Sequence, residues 1–161
     1  VLDADGISGL VDNLNVLAKA KAPVILTPHP GEMGRLLKRG AAEVQNDRLS
    51  LAQSFSQEYG VTLVLKGART LISSPEGRLA INSTGNPGLA SGGTGDVLTG
   101  LIAGFVAQGL SPFDAACMGV YCHGKAADRL ARRWGEQGML AMDLLPEIPV
   151  VLKSLAELSS T

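Results

Sequence analysis

The sequence carries almost no net charge, which limits the partners that we expect. Its 14 Lys and Arg residues and 15 Asp and Glu residues give a formal net charge of −1 over 161 residues. Binding to nucleic acid or to an anionic membrane surface depends on an excess of positive charge, which this composition does not supply. We therefore expect neither partner.

Cysteines are few, and long hydrophobic runs are missing. Cys117 and Cys122 are the only cysteines. On a helix their spacing does not bring the two side chains face to face, which disfavours a disulfide. No apolar run is long enough to span a bilayer, and no segment has the pattern of a signal peptide. These absences predict a reduced, cytoplasmic protein.

Apolar residues, by contrast, are plentiful enough to form a core. Hydrophobic residues make up 45% of the chain, and this content together with the length predicts a single globular domain. The chain opens on the apolar pair Val1-Leu2 followed by the polar Asp3, an arrangement typical of a strand end. We therefore expect the sequence to be part of a larger domain.

Helical and strand patterns alternate along the chain and predict an α/β fold. Apolar residues at helical spacing predict helices over 7–18, 32–38, 47–59, 97–107, 113–134 and 144–158. Continuous apolar runs predict buried strands over 24–27 and 61–65, and turn residues predict return strands over 70–73 and 78–82. The expected architecture is a mostly parallel sheet flanked by helices, with a small antiparallel meander at one edge.

The stretch from residue 85 to residue 96 stands apart from these patterns. Five glycines and a proline within it cannot form the interior of a helix or strand. A glycine-rich loop that leads into a helix turns backbone N–H groups outward and binds an anion, so we expect an anion hole at Gly92, Gly93, Thr94 and Gly95. Asp96 either caps the helix or accepts a proton in catalysis.

Three polar clusters follow predicted strands: residues 29–32, residues 66–70 and the glycine-rich loop. Ligands bind at the carboxyl ends of parallel strands, so we expect the clusters to form one site. His29 would contact a ligand or form a plain turn, and Glu32 would position a metal or water or only favour its helix N-terminus. Lys66 would contact phosphate or extend from a strand end as a surface lysine.

For other polar residues near this site we expect structural roles. We expect Asn86 to be a left-handed turn residue. His123 and Asp128 lie on a long helix after the glycine-rich loop, where packing or the capping of a neighbouring segment is the expected role.

Four segments, taken in this order, resemble a known family. They are Val1-Leu2-Asp3-Ala4-Asp5, Thr27-Pro28-His29-Pro30-Gly31-Glu32, Lys66-Gly67-Ala68-Arg69-Thr70, and residues 85–98 around Gly92-Gly93-Thr94-Gly95-Asp96. The combination resembles the ADP/ATP-dependent NAD(P)H-hydrate dehydratases of the carbohydrate-kinase domain family. The resemblance implies a ribokinase-like fold, truncated at the N-terminus, in which residues 1–161 are the C-terminal part of one dehydratase domain. Many bacterial members carry a fused NAD(P)H-hydrate epimerase domain ahead of it.

The resemblance also implies a role for individual residues. His29 and Asp96 would contact hydrated NADH or NADPH, and Asp96 would be the base that activates the hydroxyl group of the hydrate. The residues that would bind the nucleotide are Lys66, Gly67, Ala68, Arg69, Thr70 and Gly95. ADP, or ATP, would donate the phosphoryl group that turns the hydroxyl into a leaving group, and ADP would yield AMP and phosphate. The resemblance further suggests a homo-oligomer, a tetramer.

Two alternatives and one cofactor complete the expectations. Phosphoryl transfer generally uses a divalent ion, so we expect Mg²⁺. A small-molecule kinase of the same fold, such as a hydroxyethylthiazole or pyrimidine kinase, would share the glycine-rich loop and Asp96 but not the turn at residues 27–32. The other alternative is a nucleotide-binding module without catalysis.

Overall fold

The computed structural model describes residues 1–158, and its centre is a four-stranded sheet. The strands, side by side in chain order, are β1 (Ile25–Leu26), β2 (Thr62–Leu65), β3 (Leu71–Ser73) and β4 (Leu79–Ile81). β1 and β2 pair in parallel, and Leu2 adds one parallel bridge to Leu26. β2, β3 and β4 form the antiparallel meander that the sequence predicts. The sheet is therefore mixed, and parallel pairing accounts for less of it than the sequence analysis expects from a mostly parallel sheet.

Helices cover the sheet on both faces. They are α1 (Ala4–Ser8), α2 (Pro30–Leu37), α3 (Ala41–Asn46), α4 (Arg48–Tyr59), α5 (Thr94–Ala107), α6 (Pro112–Trp134), α7 (Ala141–Leu144) and α8 (Glu147–Leu158). Two short 3₁₀ turns cover Leu14–Lys19 and Pro87–Leu89. The helices α2, α4, α5 and α6 lie where the sequence predicts them. Within residues 1–158, no helix combines the length and apolar character needed to cross a membrane.

β2 divides the core between the two faces of the sheet. All four of its residues are buried, as its continuous apolar run predicts. Leu63 and Leu65 pack with Phe55 of α4 on one face. Val64 packs with Ile102 of α5 on the other face. Successive side chains of a strand point to opposite faces, so a single strand contributes to both cores.

Two predicted helices are interrupted. In place of one helix over 7–18 the chain has α1, which ends at Ser8, and the separate 3₁₀ turn Leu14–Lys19, with the left-handed residue Asp12, at a φ of 67°, between them. The predicted helix over 144–158 begins later, at Glu147, as α8, and Pro146 separates it from α7, which ends at Leu144. Pro149 follows in the first turn of α8. Proline has no N–H group, so one continuous helix through this region would lose two hydrogen bonds.

α3 is a helix that the sequence analysis does not predict. Val44 is its only buried residue, so the segment has no apolar period from which a helix could be recognised.

Candidate active site

Polar residues that follow the parallel strands converge at one edge of the sheet. Asp3 follows the Leu2 bridge, Glu32 lies shortly after β1, and Lys66 directly follows β2. Lys66 Nζ lies 2.8 Å from Asp3 Oδ1 and 3.7 Å from Glu32 Oε2. The first turn of α5 borders this group, because a Cβ atom added at Gly95 would lie 3.3 Å from Asp3 Oδ2 and 3.6 Å from Lys66 Nζ. The predicted convergence of the three clusters is therefore present.

Asp3 is a member of this group to which the sequence analysis assigns no role of its own. Its carboxylate accepts hydrogen bonds from Lys66 Nζ and, at 3.3 Å, from Thr99 Oγ1 of α5. Burial disfavours the charged form of the Asp3 carboxyl, but the hydrogen bond and the charge of Lys66, together with the Thr27 hydroxyl and the Ala4 backbone, outweigh this effect, so its pKa lies below its usual value. Its position directly after a strand end, at the ligand edge of the sheet, is the sequence feature from which a role for Asp3 could have been predicted.

His29 and Glu32 begin α2 through a reciprocal capping box. His29 Nδ1 accepts from the N–H groups of Gly31 and Glu32 at 3.0 and 3.2 Å, and Glu32 Oε2 accepts from the His29 N–H at 2.7 Å. Because Nδ1 accepts, the ring hydrogen lies on Nε2. The His29 side chain is 50% exposed, which leaves the ring accessible to a ligand. Glu32 thus supports its helix N-terminus, which was one of its two interpretations, and His29 caps the helix instead of forming a plain turn. The ligand roles of both residues stay predictions.

The loop of residues 66–70 has four backbone N–H groups without partners. The Lys66 N–H donates to the Pro28 carbonyl oxygen at 2.9 Å. Within residues 1–158, no hydrogen bond is donated by the backbone N–H groups of Gly67, Ala68, Arg69 and Thr70. Gly67 and Arg69 have positive φ angles of 136° and 55°. Successive unpaired N–H groups in such a loop can form a concave anion site, which agrees with the predicted nucleotide role.

Arg48, at the start of α4, contacts the same loop, and sequence reasoning missed it. Its guanidinium group donates to the carbonyl oxygens of Ala68 at 2.7 Å, Leu65 at 3.0 Å and Lys66 at 3.3 Å. These partners lie 17 to 20 residues away along the chain. A single sequence therefore gives no local signal for the contact.

The glycine-rich loop is fixed at both of its ends. Asp128 of α6 accepts from the Gly85 N–H and from Asn86 Nδ2, each at 3.0 Å, so it caps a neighbouring segment as expected. The Thr94 hydroxyl donates to the carbonyl oxygens of Leu89 and Ser91, each at 2.8 Å. Asn86 has a φ of −143°, so the prediction of a left-handed turn residue is wrong. Its side chain instead joins Asp128 to the loop.

Residues 92–95, the predicted anion hole, present N–H groups at the start of α5. Gly93 precedes the helix with a φ of 83°, a conformation that glycine adopts without steric cost. The N–H groups of Gly92, Gly93 and Gly95 donate no hydrogen bond in the described part of the chain, and that of Thr94 makes only a long one, 3.4 Å, to the Ser91 carbonyl oxygen. Free N–H groups at a helix N-terminus suit an anion.

Asp96 is exposed in the first turn of α5 and does not cap the helix. The residue in the capping position is Gly93, and no side chain forms a cap hydrogen bond there. Capping was one of the two interpretations of Asp96, and it is not observed. The proton-accepting role stays a prediction, for which the exposed carboxylate is free.

His123 lies in α6, close to the residues around the glycine-rich loop. It is 7% exposed, and its Nε2 atom has no hydrogen-bond partner among residues 1–158. Burial lowers the pKa of His123 to about 4, against the opposing effect of the Thr94 backbone and with a further contribution from the charge of Lys66. The imidazole is therefore neutral near pH 7, in agreement with a packing role.

A metal ion at this site would need ligands in addition to protein side chains. In the described residues, no group of three or more His, Cys, Asp or Glu side chains is arranged to hold a metal ion. Mg²⁺ commonly binds one or two carboxylates and takes its other oxygens from water and substrate phosphates. The buried carboxylate of Glu32 fits that mode, so its predicted metal role stays a prediction.

Comparisons with known proteins point to a single family. A sequence model of the family described as NAD(P)H-hydrate dehydratase matches residues 1–150. The bifunctional NAD(P)H-hydrate repair enzyme Nnr of Moorella thermoacetica is 51% identical over 157 residues, which are 98% of this chain and 30% of that protein. The ADP-dependent (S)-NAD(P)H-hydrate dehydratase of Neisseria meningitidis is 43% identical over 149 residues, which are 91% of this chain and 50% of that protein. The chain thus spans between about a third and a half of the length of these relatives.

Solved structures give the same result. The ADP/ATP-dependent NAD(P)H-hydrate dehydratase of Bacillus subtilis, co-crystallised with ATP and Mg²⁺, superposes with a TM-score of 0.80 at 34% identity, over 96% of this chain and 61% of that one. A ribokinase-like superfamily protein of Enterococcus faecalis superposes with a TM-score of 0.77 at 32% identity, over 94% of this chain and 51% of that one. The predicted ribokinase-like α/β fold is therefore confirmed, and the chain belongs to the NAD(P)H-hydrate dehydratase family.

Proposed function

We propose that residues 1–161 are the C-terminal part of a single ribokinase-like domain with ADP-dependent (S)-NAD(P)H-hydrate dehydratase activity. One observation carries the proposal: two sets of N–H groups that are unpaired in the described chain, those of residues 67–70 and those of Gly92, Gly93 and Gly95, belong to loops that border the same group of charged residues. The exposed carboxylate of Asp96 directly follows the second set. Such a site suits a nucleoside diphosphate next to a hydroxyl group that must lose a proton.

In the proposed reaction, Asp96 accepts the proton of the hydrate hydroxyl while that oxygen attacks the terminal phosphorus of ADP. The bond between this phosphorus and the bridging oxygen breaks, and AMP leaves. The phosphorylated hydrate then loses phosphate as its C–O bond breaks and an adjacent proton departs, which regenerates NADH or NADPH. The reaction needs the phosphoryl group because phosphate is a much better leaving group than hydroxide.

The remaining residues bind and orient the two substrates. The N–H groups of residues 67–70 and of Gly95 hold the nucleotide, and Lys66 contributes positive charge. The N–H groups at the start of α5 stabilise the negative charge that develops on the transferred group. His29 offers its Nε2–H to the hydrate. Mg²⁺ bound to the phosphates and to Glu32 would neutralise further charge.

The same proposal extends to the properties of the full-length protein. We propose a cytoplasmic metabolite-repair enzyme that forms a homo-oligomer, specifically a tetramer. Exposed apolar side chains near the end of α6 support self-association, among them Trp134 at 61% and Met142 at 70% exposed. The bifunctional names of several relatives support a fused NAD(P)H-hydrate epimerase domain.

The test uses the full-length protein, hydrated NADPH, magnesium and either ADP or ATP. Recovery of the absorbance of the reduced nicotinamide, together with release of phosphate, would support the dehydratase and identify its phosphoryl donor. A stable phosphorylated product would support a small-molecule kinase instead. Binding of ADP without turnover of any substrate would support a non-catalytic nucleotide-binding module.

A further inference from the structure

Most of the carbonyl groups of residues 65–68 share one hydrogen-bond donor. Three of these four carbonyl oxygens accept hydrogen bonds from the Arg48 guanidinium at 2.7 to 3.3 Å. The N–H groups of the following residues, 67–70, have no partner in the described chain. A peptide group points its C=O and its N–H in opposite directions. The contacts of Arg48 with the carbonyl oxygens of Lys66 and Ala68 therefore turn the N–H groups of Gly67 and Arg69, which belong to the same two peptide groups, away from the guanidinium group.

We propose that Arg48 is a positioning residue for the nucleotide. It holds the loop of residues 66–70 in the conformation in which the free N–H groups bind the anionic part of ADP, without touching the nucleotide itself. This inference rests on the proposed function, because it assumes that the loop binds ADP. It concerns a residue outside the segments that carry the resemblance to the family.

The fit between Arg48 and Gly67 supports this role. A Cβ atom added at Gly67 would lie 3.2 Å from Arg48 Nη2, and the φ of Gly67 is 136°. A side chain at position 67 would therefore strain the backbone and press on the guanidinium group. The loop conformation and the arginine are adapted to each other.

The charge and shape of arginine are both used. No carboxylate of residues 1–158 forms an ion pair with Arg48, so its positive charge is not neutralised by a salt bridge beside a loop proposed to bind phosphate. The planar guanidinium group presents several N–H donors in a fixed fork and can hold separate carbonyl oxygens at once. A lysine would keep the charge but could not reproduce this set of hydrogen bonds.

The experiment compares ADP binding by calorimetry in the full-length protein and in three variants. Arg48→Met removes the charge and the hydrogen bonds, and Arg48→Lys keeps only the charge. Arg129→Met is the matched control, because Arg129 binds Glu147 at 2.7 Å and joins α6 to α8 instead of the loop. We expect Arg48→Met to weaken ADP binding about 10-fold or more, Arg48→Lys to weaken it less, and the control to retain it.

Steady-state kinetics give a second measurement that a merely structural role would not produce. We expect the KM for ADP to rise in the Arg48 variants while kcat and the KM for the hydrate stay within about twofold of the wild type. If Arg48→Met does not fold, Arg48→Lys decides: weakened ADP binding supports the proposal, and unchanged binding overturns it. Equal ADP affinity in folded Arg48→Met also overturns it. Absence of ADP binding in the wild-type protein would overturn the proposed function itself, and the inference with it.

Discussion

At the scale of single residues, two carboxylates at the sheet edge hold Lys66 in position before any ligand binds. Lys66 Nζ lies 2.8 Å from the Asp3 carboxylate and 3.7 Å from the Glu32 carboxylate, so one ammonium group pairs with both. Asp96, in contrast, has no partner in the described residues and is exposed. A carboxylate that supports the structure would be expected to have partners like those of Asp3. The free carboxylate is the one available for a chemical step.

The first prediction concerns this free carboxylate. We expect Asp96→Asn to lower turnover by about 10²- to 10⁴-fold, because an amide cannot accept the proton of the hydroxyl group. ADP affinity should stay close to the wild-type value, since the N–H groups that bind the anion belong to the backbone. Turnover assays and calorimetry on the same samples check both parts. Asp12→Asn is the control, because Asp12 is exposed and pairs with Lys38, which is not a site residue. Retention of most activity in Asp96→Asn would contradict the base assignment.

The second prediction follows from the buried imidazole of His123. Burial holds its pKa at about 4, below the ordinary value of 6.5. The unfolded chain therefore takes up a proton below pH 6.5 while the folded chain does not, so stability is full above this pH and falls as the pH drops towards 4. At about 1.4 kcal/mol per pKa unit the loss reaches about 3 kcal/mol.

Urea unfolding between pH 4 and pH 7 measures this loss. We expect the free energy of unfolding of His123→Asn to depend less on pH over this range than that of the wild type. His29, the other histidine, is present in both proteins and does not affect the comparison. Parallel pH profiles for the two proteins would show that His123 does not carry the effect.

At this scale, the sequence predicted residues whose position relative to a strand end is visible locally. His29, Glu32 and Lys66 each follow a buried strand, and Glu32 and Lys66 do meet. Asp3 also follows a strand end, but its pairing, like the role of Arg48, depends on contacts between distant parts of the chain. Asp3 meets Lys66 across 63 residues, for example. Such a contact depends on the topology of the sheet, which no local pattern encodes.

At the scale of elements, α6 carries the contacts that hold the glycine-rich loop. A Cβ atom added at Gly124 would lie 2.7 Å from the Thr84 carbonyl carbon and 2.8 Å from the Gly85 nitrogen. A Cβ atom added at Gly119 would lie 2.6 Å from Ile102 Cγ1 of α5. Glycines of α6 therefore lie at the points where this helix comes closest to its neighbours.

The third prediction compares two glycines in neighbouring helices. We expect Gly124→Ala to destabilise the protein by about 1–3 kcal/mol, because the new Cβ meets backbone atoms that cannot move without displacing the loop. Gly100→Ala, in α5, places its Cβ where no atom lies within 4 Å. It should instead stabilise by about 0.5–1 kcal/mol, because alanine is the better helix former. Denaturant midpoints measure both, and a stable Gly124→Ala protein would show that the loop tolerates displacement.

The elements themselves were predictable wherever the apolar period was long. α5 and α6 repeat their apolar positions over several turns, and β2 is a continuous apolar run. The elements that the sequence missed or joined wrongly are short: α1, α3, α7 and the 3₁₀ turn at Leu14–Lys19. Their boundaries depend on single residues such as Asp12 and Pro146, which interrupt a pattern that otherwise continues.

At the scale of the whole molecule, the candidate site lies where the two halves of the core meet. The hydrophobic cluster on one face of the sheet contains Phe55 of α4, and the hydrophobic cluster on the other face contains Ile102 of α5. At the ligand edge, Asp3 connects the faces by accepting from Lys66 after β2 and from Thr99 in α5. A nucleotide bound to residues 66–70 and to Gly95 would add a second connection between the same two parts.

The last prediction therefore concerns thermal stability with and without the nucleotide. A ligand at 100 times its Kd that binds only the folded state adds about 2.7 kcal/mol, which for a protein two to three times the length of this chain raises Tm by roughly 3 to 4 °C. We expect ADP to raise the Tm of the full-length protein by this amount. The increase should be lost in Gly95→Val, because a side chain there enters the space of Asp3 Oδ2 and Lys66 Nζ, 3.3 and 3.6 Å from the added Cβ. Gly104→Val, with no atom within 4 Å of its Cβ, is the matched control and should keep the increase. An equal increase in Gly95→Val would mean that ADP binds without approaching the start of α5, and the anion hole would have to be assigned to another ligand.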